Sequence, residues 1–252
     1  MNAATATAAA TTGPPRFALV VPVFDEQDNV EALLDEVEAV LAPHGPFEAL
    51  LVDDGSRDGS RARMAAWKRA HGAGWLRIVC LRRNSGQSAA VLAGVEQARA
   101  PLIATLDGDL QNDPRDLPAM LAIVERSEAD AVVGVRRNRK DSFVRRASSR
   151  IGNGVRNLVT GDHVTDAACG IKVIRRELWL RVPRFHGMHR FMATLIRAAG
   201  GKVVERDVNH RPRAAGVAKY GIGNRALRGL RDCFAVRWLK ARVLRHDVQE
   251  EL

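Results

Sequence analysis

The sequence has no uninterrupted apolar run of the roughly 18 residues that a bilayer-spanning helix needs, so no transmembrane helix is expected. Its three cysteines, Cys80, Cys169 and Cys233, are widely spaced and odd in number. That usage argues against a disulfide framework or a zinc site and for reduced thiols in a cytosolic setting. Aromatic residues make up only 5% of the chain, and Phe143 alone falls within the basic stretch 136–150, a poor base-stacking platform, so no nucleic-acid partner is expected. Residues 1–15 lack the basic start and Leu-rich core of a secretory signal. They form an Ala/Thr tract ending in Gly-Pro-Pro, expected to be disordered. No internal repeat is visible.

What is present is a globular composition. Hydrophobic residues fill 46% of 252 positions, enough for a sizeable core in one large domain or two small ones. The formal charge of +10 is concentrated: residues 136–150 and 225–245 each carry seven Lys or Arg against one Asp, and the rest is slightly acidic. Such patches suit an anionic partner, such as phosphate or a membrane face, or a simple solvated surface.

Carboxylates gather where apolar runs stop. Residues 17–24, broken only by Pro22, lead into Asp25 and Glu26, and 47–52 leads into Asp53-Asp54-Gly55-Ser56-Arg57-Asp58-Gly59-Ser60. Residues 102–106 stop on Asp107-Gly108-Asp109-Leu110-Gln111. Each run reads as a buried strand. Val30, Leu33, Leu34, Val37 and Leu41 predict a helix over 27–41, and further helices are expected over 61–70 and 85–98. With strands at 75–81 and 129–135 the order is βαβαβαβ, which predicts an α/β fold on a doubly wound, mainly parallel sheet with right-handed crossovers. Ligands of such a sheet lie beyond the carboxyl ends of the strands, the edge that Glu26, Asp53, Asp54, Asp107 and Asp109 share. Adjacent acids repel unless a cation offsets them, and Mg²⁺ or Mn²⁺ is commonly held by one or two carboxylates plus substrate phosphates. Taken alone, Asp-x-Asp after a strand also describes a solvated acidic turn.

Beyond residue 151 the signals are mixed, with short strands near 171–174 and 202–208 and helices near 175–180 and 189–199. Between Pro212 and Tyr220 apolar periodicity is absent, and a loop carrying Arg213 and Lys219 is expected to close over a ligand. A last helix over 224–245 has Leu227, Leu230, Phe234, Trp238, Ala241 and Leu244 at helical spacing with basic flanks. It either lies on a membrane surface or packs on its own domain.

As a set, Pro22-Val23-Phe24-Asp25-Glu26, the octet 53–60, Asp107-Gly108-Asp109-Leu110-Gln111 and Gly134-Val135-Arg136 resemble the family 2 glycosyltransferases of GT-A fold. Arg145-x-x-x-Ser149, Asp166-x-x-Cys169-Gly170 and His210-x-x-Arg213-x-x-Gly216-x-x-Lys219-Tyr220 resemble the polyprenyl-phosphate glycosyltransferases, the group containing dolichol-phosphate mannose synthase. The likeness runs over 17–238. It implies a Rossmann-like GT-A domain over 16–222, between the tail 1–15 and a C-terminal amphipathic, basic helix and tail at 223–252. It further implies inverting, metal-dependent transfer of a sugar from a UDP- or GDP-linked donor to a polyprenyl phosphate, with undecaprenyl phosphate the expected acceptor. The lipid-linked product would serve cell-envelope glycan or lipid A modification, and the protein would sit peripherally at the inner face of the cytoplasmic membrane.

By the same resemblance, Pro22, Val23 and Glu26 border the nucleotide and Asp53 or Asp54 hydrogen-bonds its base. Asp107, Asp109 and Gln111 hold Mg²⁺ or Mn²⁺, with Asp107 also beside the nucleotide-sugar. Arg136, Arg145 and Ser149 receive the lipid phosphate, and Arg213 and Lys219 close over the diphosphate. Asp109, Arg213 and Lys219 are thus the residues expected to carry catalysis; no base is assigned, because the acceptor phosphate is already mostly dianionic near pH 7. The sequence departs from the family in Ala218, where a Ser usually precedes the Lys, which removes one hydroxyl contact. Many bacterial relatives carry C-terminal membrane helices that this sequence lacks, so its last helix, or a membrane-protein partner, is expected to bring it to an anionic membrane surface. Arg237-Trp238 is similar to part of a processive-synthase motif, but Phe234 at the Gln position argues against that class.

Two other readings share some of these features. Phosphatases of the haloacid dehalogenase type also end a strand in Asp-x-Asp, but near the start of the domain and before Thr or Val, whereas here Leu110-Gln111 follows. A catalytically impaired GT-A fold could serve as a basic membrane-surface adaptor, a reading that the retained carboxylates oppose.

Overall fold

The structure, a computed structural model, describes residues 13–136, 143–212 and 223–243, with backbone alone for 143–150 and 223–228. Seven strands form one sheet: β1 (Phe17–Val23), β2 (Phe47–Asp53), β3 (Leu76–Cys80), β4 (Leu102–Thr105), β5 (Ala131–Val135), β6 (Lys172–Arg175) and β7 (Val203–Asp207). Their order is β3-β2-β1-β4-β6-β5-β7. All pairs are parallel except those of β6, which runs antiparallel to both β4 and β5. The helices are α1 (Val30–Leu41), α2 (Ser60–His71), α3 (Gln87–Gln97), α4 (Leu117–Glu125), α5 (Phe143–Thr160), α6 (Arg176–Arg181), α7 (Met192–Ala198) and α8 (Gly223–Lys240).

Alternation along the strands sends apolar side chains to both faces, and helices cover each. Leu19, Val21 and Val23 of β1 belong to one core with Leu34 of α1, Met64 of α2 and Met120 of α4, while Ala18 and Val20 belong to a second with Val91 of α3, Trp179 of α6, Ile196 of α7 and Val236 of α8. The expected α/β, doubly wound, mainly parallel architecture is what the chain forms.

Several boundaries differ from the sequence reading, each for a local reason. The first helix begins at Val30 because the Gln27 amide donates to Asp58 Oδ2 (3.1 Å), a loop contact that keeps 27–29 outside the helix. Helix α4 was not anticipated, although Leu117, Met120, Leu121 and Val124 repeat at helical spacing and are all buried. Nor was α5, whose pattern is inverted: Arg156 and Thr160 are buried while Leu158 is 80% exposed. Arg156 Nη2 donates to Thr194 Oγ1 (2.6 Å), which donates to Asp162 Oδ2 (2.5 Å), so the helix docks through a polar network. In α8 the stripe Leu230, Phe234 and Trp238 is exposed, and the smaller Cys233 and Val236 do the packing. The tail up to residue 12, the loop carrying Arg213 and Lys219, and residues beyond 243 lie outside the described residues.

Candidate active site

At the tips of β1 and β2 the acids act on backbone. Asp54 Oδ1 accepts from Ser85 N (2.7 Å) and Oδ2 from Gly86 N (2.8 Å), tying the segment before α3 to β2. Burial pushes its carboxyl above the usual range; these two amides pull the other way and neighbouring Asp53 adds to the rise. Asp53, buried, accepts from Ser56 N (3.1 Å). Glu26 Oε2 accepts from Asn29 Nδ2 (2.6 Å), and the Glu26 amide donates to Ser60 Oγ (2.8 Å). Asp25, at φ +49°, accepts from Arg57 N (2.7 Å). The Val23 side chain lies in the core and its carbonyl takes Asp54 N (2.8 Å). These contacts join the 24–29 and 53–60 turns into one rigid rim.

Past β4, Asp107 Oδ1 accepts from Gln87 Nε2 (2.8 Å) of α3. Its other side lies against Gly170, where a Cβ would fall 2.1 Å from Oδ2. Burial raises the Asp107 carboxyl above its ordinary value and repulsion from Asp109 raises it further, against the pull of Lys172 and Arg136. Asp109 Oδ1 accepts from Gln111 N (3.2 Å) across Leu110, which adopts φ +61°. Gln111 gives Nε2 to Arg211 O (3.3 Å), leaving its amide oxygen as a hard donor, and Arg211 N returns a bond to Gln111 O (2.9 Å). Arg211 is itself gripped by Glu36 (2.7 and 2.9 Å) and Asp113 (2.7 Å), so residue 212 leaves from beside the acidic turn.

Among the described residues no three His, Cys, Asp or Glu converge as a closed metal cage. Asp107 and Asp109 repel one another and Gln111 lies in the same turn; as hard oxygen donors these residue types suit Mg²⁺ or Mn²⁺ completed by substrate phosphates and water.

Arg136, just past β5, forms a bidentate pair with Asp166, Nε to Oδ2 at 2.7 Å and Nη2 to Oδ1 at 2.8 Å, and Nη1 takes no part in it. Arg145 and Ser149 fall on α5, in the part described by backbone alone. Between Asp107 and the turn Met188–Arg190 opens a cleft of about 150 Å³, lined by Pro22, Gln87, Gly170, Lys172, Trp179 and Arg190 among others.

A family model described as glycosyl transferase family 2 matches residues 18–181, a span that takes in the acidic ends of β1, β2 and β4. The chain belongs to that family. The dodecaprenyl-phosphate galacturonate synthase of Rhizobium johnstonii is 41% identical over 225 residues, covering 87% of this chain and 66% of that protein. The undecaprenyl-phosphate 4-deoxy-4-formamido-L-arabinose transferase of Serratia proteamaculans is 34% identical over 208 residues, covering 82% and 63%. The chain thus spans just under two thirds of the length of these curated relatives. Among solved structures, the mannosyltransferase from Pyrobaculum calidifontis in complex with GDP-Man and Mn²⁺ superposes with TM-score 0.64 at 22% identity, covering 94% of this chain and 67% of that one. At that identity the likeness is one of fold.

For this family 2 chain, sequence reasoning overlooked Gln87, Lys172, Trp179, His189 and Arg190, which all line the cleft. Lys172 is buried, with Nζ donating to the Cys169 carbonyl, and burial pulls its ammonium below the ordinary range. The Cys169 thiol is pushed up by burial to about 11. Gln87 carried a signal, following a glycine at the start of a helix beneath the sheet edge. The others become neighbours of Asp107 only because β6 enters the sheet between β4 and β5.

Proposed function

We propose that the protein is an inverting glycosyltransferase that moves a sugar from a nucleotide-sugar to a polyprenyl phosphate, undecaprenyl phosphate being the expected acceptor. The observation that carries this reading is the pair of repelling carboxylates, Asp107 and Asp109, just past the end of β4, with Asp107 lining a cleft there. The relatives named for transfer to dodecaprenyl and undecaprenyl phosphate support the acceptor class. A divalent ion bound there, Mg²⁺ or Mn²⁺, would neutralise the diphosphate as it leaves.

The chain's own residues do the rest. The rim of Pro22, Val23, Glu26, Asp53 and Asp54 fixes the nucleotide, with Asp53 the better placed to reach the base because both Asp54 oxygens hold amides. Arg136 through Nη1, with Arg145 and Ser149, receives the acceptor phosphate, and Arg213 and Lys219 close over both anions. A phosphate oxygen forms the new bond to C1 of the sugar as the bond from C1 to the diphosphate breaks, inverting the centre. The acceptor's second pKa is about 6, so no strong base is required and positioning dominates.

Delivery to the lipid would fall to α5 and α8, joined by Lys240 Nζ to Thr160 O (2.7 Å). Ile151, Leu158, Phe234 and Trp238 stand exposed there beside exposed Arg231, Arg237 and Arg242, a basic apolar face suited to an anionic membrane surface. No helix among the described residues is long and apolar enough to cross a membrane. The proposal includes peripheral attachment at the inner face of the cytoplasmic membrane, alone or with a membrane-protein partner, and a product that would serve envelope glycan or lipid A modification.

The test is transfer of radiolabelled sugar from UDP- and GDP-sugars into organic-extractable lipid, with undecaprenyl phosphate, Mg²⁺ or Mn²⁺, and Asp109→Ala as control. Metal-dependent transfer lost in Asp109→Ala is expected. No transfer from any donor, with vesicle binding intact, would replace this reading by the membrane-surface adaptor.

A further inference from the structure

The Asp107 carboxylate is boxed between two elements from distant parts of the sequence. On one side is Gly170, whose carbonyl accepts from Thr105 Oγ1 (2.7 Å) and whose neighbour Cys169 gives its carbonyl to Lys172 Nζ. A Cβ at residue 170 would meet the carboxylate, so this turn acts as a stop. On the other side is Gln87, which donates Nε2 to Oδ1 at 2.8 Å and lines the same cleft. A stop limits where the carboxylate can go, whereas a hydrogen bond selects one orientation within that space.

The exposed Gln87 side chain is placed by the contacts of its neighbours. The two Asp54 oxygens take the amides of Ser85 and Gly86, and Gly86, at φ +87°, turns the chain so that α3 begins at Gln87. One residue on, buried Ser88 accepts from Gly187 N (3.0 Å) through Oγ and lies 2.7 Å from His189 Nδ1. The first turn of α3 is thereby tied to the tip of β2 on one flank and to the 187–190 turn on the other. Because the Gln87 amide is neutral, it orients the carboxylate and leaves its negative charge to a cation. Partners standing behind a ligand in this way set its orientation, and losing one costs about 10- to 100-fold in metal affinity or activity.

We propose that Gln87 is a positioning residue of the cation site, acting through Asp107: it fixes the carboxylate in the orientation that a divalent ion needs and touches neither ion nor sugar. The inference rests on the glycosyl-transfer reading above, in which Asp107 and Asp109 hold Mg²⁺ or Mn²⁺, and adds a residue behind those ligands.

The experiment uses the full chain with Gln87→Met, which keeps the length and loses the donor, and Gln87→Asn, which keeps the amide but is one methylene shorter. Mn²⁺ binding, alone and with UDP or GDP present, is followed by water-proton relaxation, beside transfer kinetics and thermal unfolding. Both variants are expected to weaken Mn²⁺ binding by about tenfold, the low end of the range because the bond is exposed. Half-maximal transfer should need correspondingly more Mn²⁺, while the KM for undecaprenyl phosphate stays where it was. Since a surface side chain is changed, Tm should move by no more than about 2 °C.

Wild-type Mn²⁺ affinity in Gln87→Met overturns the inference. A raised KM for the nucleotide-sugar at unchanged Mn²⁺ affinity also overturns it, by making Gln87 a direct contact of the donor. A fall in Tm that matches the loss of turnover does so by making the role structural, and wild-type behaviour of Gln87→Asn by showing that reach to Oδ1 is immaterial. Metal-independent transfer by the wild-type protein overturns it and leaves glycosyl transfer standing. Absence of transfer from every donor removes the glycosyl-transfer reading, and the Mn²⁺ affinities then decide this inference by themselves.

Discussion

Replacing Gly170 by alanine exchanges one hydrogen for a methyl group, and places that carbon against the Asp107 carboxylate. The added Cβ would lie 2.1 Å from Oδ2, 2.4 Å from Cγ and 2.7 Å from Oδ1, and the nearest contacts all belong to this one side chain. Gly170 is not among the glycines with positive φ, so the backbone accepts alanine. An ordinary non-bonded contact needs about 3.5 Å, so the carboxylate must retreat by more than 1 Å. Asp107 would then leave Gln87 and part from Asp109. A displacement of about 1 Å at a reacting centre costs on the order of 100-fold in rate. Because a side-chain end and not backbone gives way, Tm should fall by no more than about 4 °C. Transfer assays at saturating Mn²⁺, Mn²⁺ binding by calorimetry and thermal unfolding together decide the matter. Wild-type turnover in Gly170→Ala would refute the placement of Asp107, and a large fall in Tm matching the loss of turnover would assign the effect to folding.

Asp54→Ala strips two backbone amides of a buried acceptor and should destabilise by about 3 kcal/mol, read as a lower urea midpoint at unchanged m-value. The pair Phe234→Ser and Trp238→Ser, at side chains 58% and 59% exposed, should leave Tm in place. It should weaken partition onto anionic vesicles roughly 30-fold, from about 1 kcal/mol per ring; unchanged partition would move membrane contact elsewhere. Asp162 is buried, which raises its carboxyl, but the Thr194 hydroxyl, the His163 amide and Arg197 outweigh burial and leave it below the ordinary range. Its contribution to stability is therefore present above about pH 4 and lost as pH falls below that. Asp162→Asn should flatten the acid limb of the Tm-versus-pH curve, and a curve parallel to the wild type would show that other groups control it.

The first half of the sheet was legible because each strand there is a mainly apolar run, with Pro22, Glu48 and Arg77 as single interruptions, and the helix between β1 and β2 is a periodic one. The acids stood out for the same reason, as the abrupt ends of those runs. The sequence was less informative where tertiary contacts override local pattern. Asp54 reads as a ligand group and acts on the amides of residues 85 and 86, which nothing at position 54 announces. Arg136 reads as a free cation, and its pairing with Asp166, 30 residues away, comes from the turn that follows α5. Helix α5 stayed hidden because it buries Arg156 and exposes Leu158, reversing the usual code. The second wall of the cleft was hidden for a topological reason, since the reversed entry of β6 is set by its partners and not by its four residues.

That reversed strand also shapes how such a chain can vary. β6 pairs with β4 from Leu102↔Arg175 to Thr105↔Lys172, so its first residue sits beside the last residue of β4 and fixes Gly170 against Asp107 through the ladder. The more than 60 residues between them run out through α4, β5 and α5 and return to that junction, which β5 closes from the other side by pairing with β6. Changes of length confined to the part of that excursion between Arg136 and Asp166 leave the few ångströms that separate strand end from strand start the same.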